Sequence, residues 1–127
     1  MIRPCDANET AYAWRFAIES RECPVALILT RQDVPTLDRS RYAAAAGLKR
    51  GAYILAEAAN ARPQIILIAT GSEVCLIIEA QRELEKQDIQ TRLVSMPSWE
   101  LFDVSASGPR APRNRSRGDT GMASLCR

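Results

Sequence analysis

Residues 65–97 read IILIATGSEVCLIIEAQRELEKQDIQTRLVSMP, and this stretch decides the fold. Ile65 to Ala69 is a five-residue run rich in β-branched side chains. It sits between Pro63 and Gly71, too short for a helix and apolar at every position, so it reads as a strand. Thr70-Gly71-Ser72-Glu73 is a tight strand-to-helix turn with Ser72 as the expected N-cap. The helix that follows should reach about Gln87. Val74, Ile77, Ile78 and Leu84 mark its buried face, with Ala80 and Gln81 on the flanks, and Asp88 ends it. Thr91 to Met96 is the next strand, closed by Pro97. Strand, glycine turn, helix and strand together predict a right-handed parallel βαβ crossover, and so an α/β fold.

Upstream, Gly51 to Leu55 reads as a short strand and Glu57 to Arg62 as a turn. Asp6-Ala7-Asn8-Glu9 resembles a capping box and should open a helix running to about Arg21. Ala11, Trp14, Ala17 and Ile18, with Tyr12 and Phe16, form a wide stripe at helical spacing, expected to face a core. Cys23-Pro24 stops that helix. Val25 to Leu29 follows as a strand expected to be buried on both faces, as in a parallel sheet. From Arg31 to Arg50 the chain is loop-like, since the Ala43–Ala46 run is too short to form a helix alone. A domain boundary is placed near Leu48. Trp99, Leu101 and Phe102 are expected to open one more helix.

Composition bounds the function. In 127 residues there is no histidine, which removes the commonest general base and metal ligand. Cys5, Cys23, Cys75 and Cys126 lie far apart with no C-x-x-C, which argues for reduced thiols in a cytoplasmic protein and against a zinc site. No apolar run is long enough to span a membrane. The net charge of +2 is uneven: residues 104–127 hold five Arg and one Asp, leaving the preceding 103 residues slightly acidic. This tail has no aromatic side chain to stack a base, so no nucleic-acid partner is expected. Its Arg, Ser, Gly and Pro cannot bury enough surface to offset ordering entropy, so disorder is expected.

Two places carry candidate chemistry. Arg31, in Thr30-Arg31-Gln32-Asp33, follows the expected strand at its C-terminal end, where α/β sheets bind ligands. Its guanidinium fork suits a phosphate or carboxylate, although pairing to a nearby acid is the commoner fate of such an arginine. Thr70-Gly71-Ser72, at a helix N-terminus, offers amides to an anion, but a plain tight turn is the simpler reading and Glu73 opposes an anion there.

The blocks RPCDANETAYAW, ALILTRQDVP, KRGAYIL, IILIATGSEV and LVSMPSWELFD, in that order, closely resemble transketolase over nearly all of residues 2–103. The resemblance implies parts of two three-layer αβα domains with mostly parallel sheets, the C-terminal one Rossmann-like. Residues 1–47 would end the pyrimidine-binding domain, 48–103 would begin the C-terminal domain, and 104–127 would be a frameshifted tail. It implies an enzyme dependent on thiamine diphosphate and Mg2+, homodimeric in the family, that moves a two-carbon ketol unit between sugar phosphates. Arg31 matches the family arginine that binds the sugar phosphate. The resemblance implies that the family's diphosphate- and magnesium-binding segment belongs to an N-terminal domain with no counterpart in this sequence, and that its activating glutamate, its aromatic partner for the aminopyrimidine and its catalytic histidines would lie upstream of Met1. None is therefore assigned to this chain, and a fragment inactive alone is expected. The alternatives are a piece of 1-deoxyxylulose-5-phosphate synthase, a piece of a 2-oxo-acid dehydrogenase subunit, or a non-catalytic anion-binding module.

Overall fold

The computed structural model describes residues 1–59 and 62–107. Helix α1 spans Ala7–Glu19. A 3₁₀ helix spans Ala45–Arg50. Strand β1 is Tyr53–Ala56, β2 is Ile65–Ala69, helix α2 is Glu73–Glu85, β3 is Thr91–Ser95 and helix α3 is Trp99–Ser107. The fold is of the α/β class, as the alternation of elements requires. The tail expected to be disordered lies outside the described residues from position 108 onward. Its first four positions, 104–107, continue α3.

The sheet has the order β1-β3-β2. β2 and β3 are parallel, in register from Ile65 opposite Thr91 to Ala69 opposite Ser95, with α2 as the crossover between them. β1 runs antiparallel to β3, with a register shift between Ile54 and Ala56. The sheet is therefore mixed. This places β3 in the centre, where Thr91, Leu93 and Ser95 are buried. The more apolar β2 lies at the side of the sheet, and Ile65, Ile66 and Ile68 are exposed.

Leu55 and Leu93 of the sheet pack with Val74 and Ile78 of α2, and this core takes in Cys5, Leu37 and Tyr53. Gln81, expected on the flank of α2, is buried and its side-chain amide donates to the Thr91 carbonyl at 3.3 Å. α2 stops at Glu85, and Asp88 turns the chain with φ +61°. A second cluster joins Ile2, Ala13 and Leu48 to half-buried Phe16, Leu27 and Leu101. Gly51, at φ +80°, is required where the chain passes under α3. A Cβ there would strike the Phe102 amide and lie 2.5 Å from the Ser98 carbonyl.

Four expectations fail in the N-terminal half. The face of α1 that turns inward carries Glu9 and Ala13, while Trp14 is 54% and Ile18 76% exposed. Of the stripe, Tyr12 and Phe16 are half-buried against the cluster of Ile2, Ala13 and Leu48, while Ala11, Trp14 and Ile18 stay exposed. The helix ends at Glu19, two residues short of Arg21. The 25–29 segment forms one bridge, Leu27 with Ile2, and Ile28 and Leu29 are exposed. Among the described residues Ile2 is its one strand partner, and only Val25 and Leu27 are half-buried, against the cluster of Ile2, Ala13 and Leu48. The Ala45–Arg50 turn was read as loop. It holds because Ala45 and Leu48 are buried and Gly51 closes it through its amide to the Leu48 carbonyl at 2.8 Å.

Candidate functional site

Arg31 lies in the loop that leaves the 25–29 segment. Thr30 Oγ accepts the Gln32 amide at 3.0 Å, which bends the chain tightly around Arg31. The guanidinium is exposed. Residues 30–35 form one wall of an open cleft of about 1000 Å³. The other wall is the start of α2, with Ser72, Glu73, Cys75, Leu76 and Glu79. Arg31 is thus presented to solvent at a concave surface.

The second candidate does not keep the free donors expected of it. The Gly71 amide donates to the Arg3 carbonyl at 3.1 Å. The amides of Glu73, Val74 and Cys75 close back on Thr70, Gly71 and Ser72 at 3.2–3.3 Å. The Ser72 side chain makes no capping bond. Glu73 also faces Arg3 at 3.5 Å. Gly71 sits at φ +57°, which glycine adopts without penalty. The segment is a turn tied to the N-terminal segment at Arg3, and its committed amides leave little for an anion.

A buried polar network is the feature the sequence did not announce. Asp6, 2% exposed, accepts from the Glu9 amide at 2.8 Å as the N-cap of α1 and from the Leu37 amide at 3.0 Å. Arg39 grips both of its oxygens at 2.8 Å and also donates to the Ala43 carbonyl and to the Tyr53 hydroxyl. Glu9, fully buried, accepts from Tyr53 and Ser95 hydroxyls at 2.7 Å and from the Cys5 amide at 2.9 Å. The capping box therefore reaches one residue further back than expected. Asn8 adds a bond to the Leu37 carbonyl at 3.0 Å. Burial raises the Tyr53 phenol above its ordinary range, and the Glu9 carboxylate raises it further. Burial does the same to the Cys5 thiol, with Glu9 and then Asp6 adding to it. The Asp6-x-x-Glu9 pattern was legible as a cap. That the same two carboxylates tie α1 to Arg39 and to the sheet was not, because their partners lie 33 and 86 residues away.

This arrangement holds a structure together and leaves few acceptors for a metal. Among the described residues no group of three or more His, Cys, Asp or Glu side chains is placed to bind one, and Asp6 and Glu9 are saturated by protein donors. Cys5, Cys23 and Cys75 are free thiols. No helix among the described residues is long and apolar enough to cross a membrane.

The fold is a small α/β unit with an arginine at the wall of a cleft, and residues 51–113 match the family model described as the transketolase-like C-terminal domain. The chain is 50% identical over 110 residues to transketolase of Geobacillus stearothermophilus, covering 87% of this chain and 16% of that one. It is also 50% identical over 103 residues to transketolase of Bacillus subtilis, covering 81% and 15%. It superposes on transketolase of Pichia stipitis in complex with sedoheptulose-7-phosphate with a TM-score of 0.71 at 40% identity, covering 80% of this chain and 14% of that chain. The Leishmania mexicana enzyme gives 0.72 at 36% identity, over 81% and 14%. The chain belongs to the transketolase family. It spans about a sixth of the length of the curated relatives it matches.

Proposed function

We propose that this chain is the sugar-phosphate-contacting part of a ketol-transferring enzyme, in which Arg31 binds the phosphate of the ketose donor or aldose acceptor. The observation that carries the reading is the placement of Arg31, exposed on a tight turn at the wall of an open cleft. Its Thr30-Arg31-Gln32 context supports it, as does the family's likeness to an enzyme whose solved structure holds sedoheptulose-7-phosphate. The guanidinium matches a phosphate with two parallel charge-assisted bonds, which a lysine cannot do.

On this reading residues 1–47 end the pyrimidine-binding domain, 48–103 begin the C-terminal domain, and 104–127 are a frameshifted segment. The enzyme works in the cytoplasm as a homodimer with thiamine diphosphate and Mg2+. That cofactor supplies the carbanion chemistry when bound. The described residues do not fit it: no group of three or more His, Cys, Asp or Glu among them is placed to hold a metal, and the buried Asp6 and Glu9 carboxylates are engaged by protein donors. No residue of this chain is assigned a catalytic role. Purified alone with thiamine diphosphate and Mg2+, the chain is expected to show no ketol transfer, and measurable transfer would overturn this part of the proposal.

The phosphate role is tested in the Bacillus subtilis enzyme with its matched segment replaced by this sequence. Arg31→Ala should lower kcat/KM on sedoheptulose-7-phosphate about ten- to a hundredfold, the loss of a charge-assisted contact of roughly 1.5–3 kcal/mol. Hydroxypyruvate, which has no phosphate, should be used almost as before when paired with an unphosphorylated aldehyde acceptor. Arg31→Lys should recover part of the loss. Equal losses on both donors would show that Arg31 supports the fold instead.

A further inference from the structure

The short segment from Ile2 to Asn8 is hydrogen-bonded to the chain that flanks both walls of the Arg31 cleft. Its first residue holds the near end of the Arg31 loop: the Ile2 amide donates to the Ala26 carbonyl at 2.8 Å, and the Ile28 amide donates to the Ile2 carbonyl at 2.9 Å. Its last residues hold the far end. Asp6 accepts the Leu37 amide and Asn8 donates to the Leu37 carbonyl, both at 3.0 Å, so both polar groups of one residue are gripped by the first turn of α1. Between these two grips hang residues 29–36, the wall that carries Arg31. The middle of the same segment holds the opposite wall, because the Arg3 carbonyl accepts the Gly71 amide at 3.1 Å at the entry to α2. A third bond, from the Arg3 amide to the Pro97 carbonyl at 2.8 Å, fixes the segment to the end of β3.

We propose that Asn8 is a positioning residue for Arg31: by fixing the Leu37 peptide together with Asp6, it sets where the Arg31 loop stands over the cleft and hence how well the guanidinium meets the sugar phosphate. The inference rests on the phosphate role of Arg31. Asp6 is the wrong residue to test, since it also caps α1 and neutralises Arg39. Asn8 is half-buried, and its longer-range bond goes only to Leu37. Its other bond, to Asp6 at 3.3 Å, is local. Removing the Asn8 amide should loosen the far end of the loop without emptying the core.

The experiment uses the same full-length enzyme carrying this segment. Asn8→Ala should raise KM for sedoheptulose-7-phosphate about three- to tenfold, the range set by one lost hydrogen bond, with kcat held and hydroxypyruvate kinetics unchanged. Asn8→Gln, which keeps a donor, should restore part of the effect. The double variant with Arg31→Ala should be no worse than Arg31→Ala alone, because a loop without its arginine gains nothing from position. If Arg31→Ala separates the two donors but Asn8→Ala does not, or if the two losses multiply, the positioning role is overturned while the phosphate role stands. If Arg31→Ala fails to separate the donors, both fall together.

Discussion

β2 and β3 pair along their whole length, yet they have opposite fates. β2 reads IILIA and exposes three isoleucines; β3 reads TRLVS, with a charged and two hydroxyl side chains, and forms the buried centre of the sheet. The difference is position. β3 is flanked on both sides by strands, and α2 packs with it around Leu93. β2 meets a strand on one side only among the described residues. Apolar content reports what a strand would gain by being covered, and its neighbours decide whether it is covered. The 25–29 segment repeats the lesson: it is nearly all aliphatic and holds a single bridge.

The comparison breaks most readily at the network that anchors the interior. Asp6→Ala strips Arg39 of its carboxylate and Leu37 of its acceptor while the guanidinium stays largely buried. Breaking one partner of such a pair should destabilise by about 3–5 kcal/mol, read as a lower denaturant midpoint by circular dichroism. A loss below about 1 kcal/mol, the range of an exposed pair, would mean that water reaches Arg39 freely and the network is rim, not core.

Two substitutions then test the strands directly. Leu93→Ala empties a site that is 0% exposed and should lose about 2–5 kcal/mol. Ile66→Ala, at a position 52% exposed, should lose less than about 1 kcal/mol despite the greater apolarity of its strand. Equal losses would mean that β2 is covered in solution by something outside the described residues.

What the sequence made legible follows the same division. The βαβ crossover was readable from residues 65–97 alone, because glycine turn chemistry and two periodicities agree over about thirty residues. So was the Asp6 cap, which is decided within one turn of chain, whereas α2 ends at Glu85, ahead of the stop expected at Asp88. The side of α1 that faces inward was misread. Trp14 and Ile18 are apolar and correctly spaced, but whether anything packs on them is a question about distant chain. Arg31 was legible as a candidate from its place after an expected strand, but only its motif favoured a phosphate, since nothing local separates a phosphate ligand from an exposed ion-pair arginine. The network of Asp6, Glu9, Arg39, Tyr53 and Ser95 was invisible for a related reason: Arg39 looked like an ordinary loop residue, and Tyr53 and Ser95 like ordinary strand residues.

A smaller effect appears at high pH. The Tyr53 phenol is held protonated in the folded chain by burial and by Glu9, so its folded pKa lies above the ordinary 10.0. The Cys5 thiol behaves likewise relative to 9.0. The unfolded chain releases these protons first. Stability from this source is therefore complete below pH 9 and falls as pH rises past 9 and then past 10. Tyr53→Phe should lower stability at pH 7 by two lost hydrogen bonds, the one donated to Glu9 and the one accepted from Arg39, yet flatten the decline above pH 10. An unchanged slope in the variant would assign the alkaline loss to other groups.

The smallest effect on folding should come with a visible effect on association. Ile66 and Ile68 lie on a strand whose outer side pairs with nothing among the described residues, which is the arrangement that invites strand-to-strand contact between molecules. Ile66→Lys places a charge on that strand without removing anything from the core. It should shift the denaturant midpoint by no more than about 0.5 kcal/mol while lowering self-association in sedimentation velocity at the same protein concentration. The exposed Trp14 and Ile18 of α1 are the competing adhesive surface. Ile18→Lys, made in parallel, separates the two. If Ile18→Lys disperses the protein and Ile66→Lys does not, exposure of large side chains on a helix outweighs an unpaired strand. The contrast between β2 and β3 would then matter for burial but not for how copies of this chain meet.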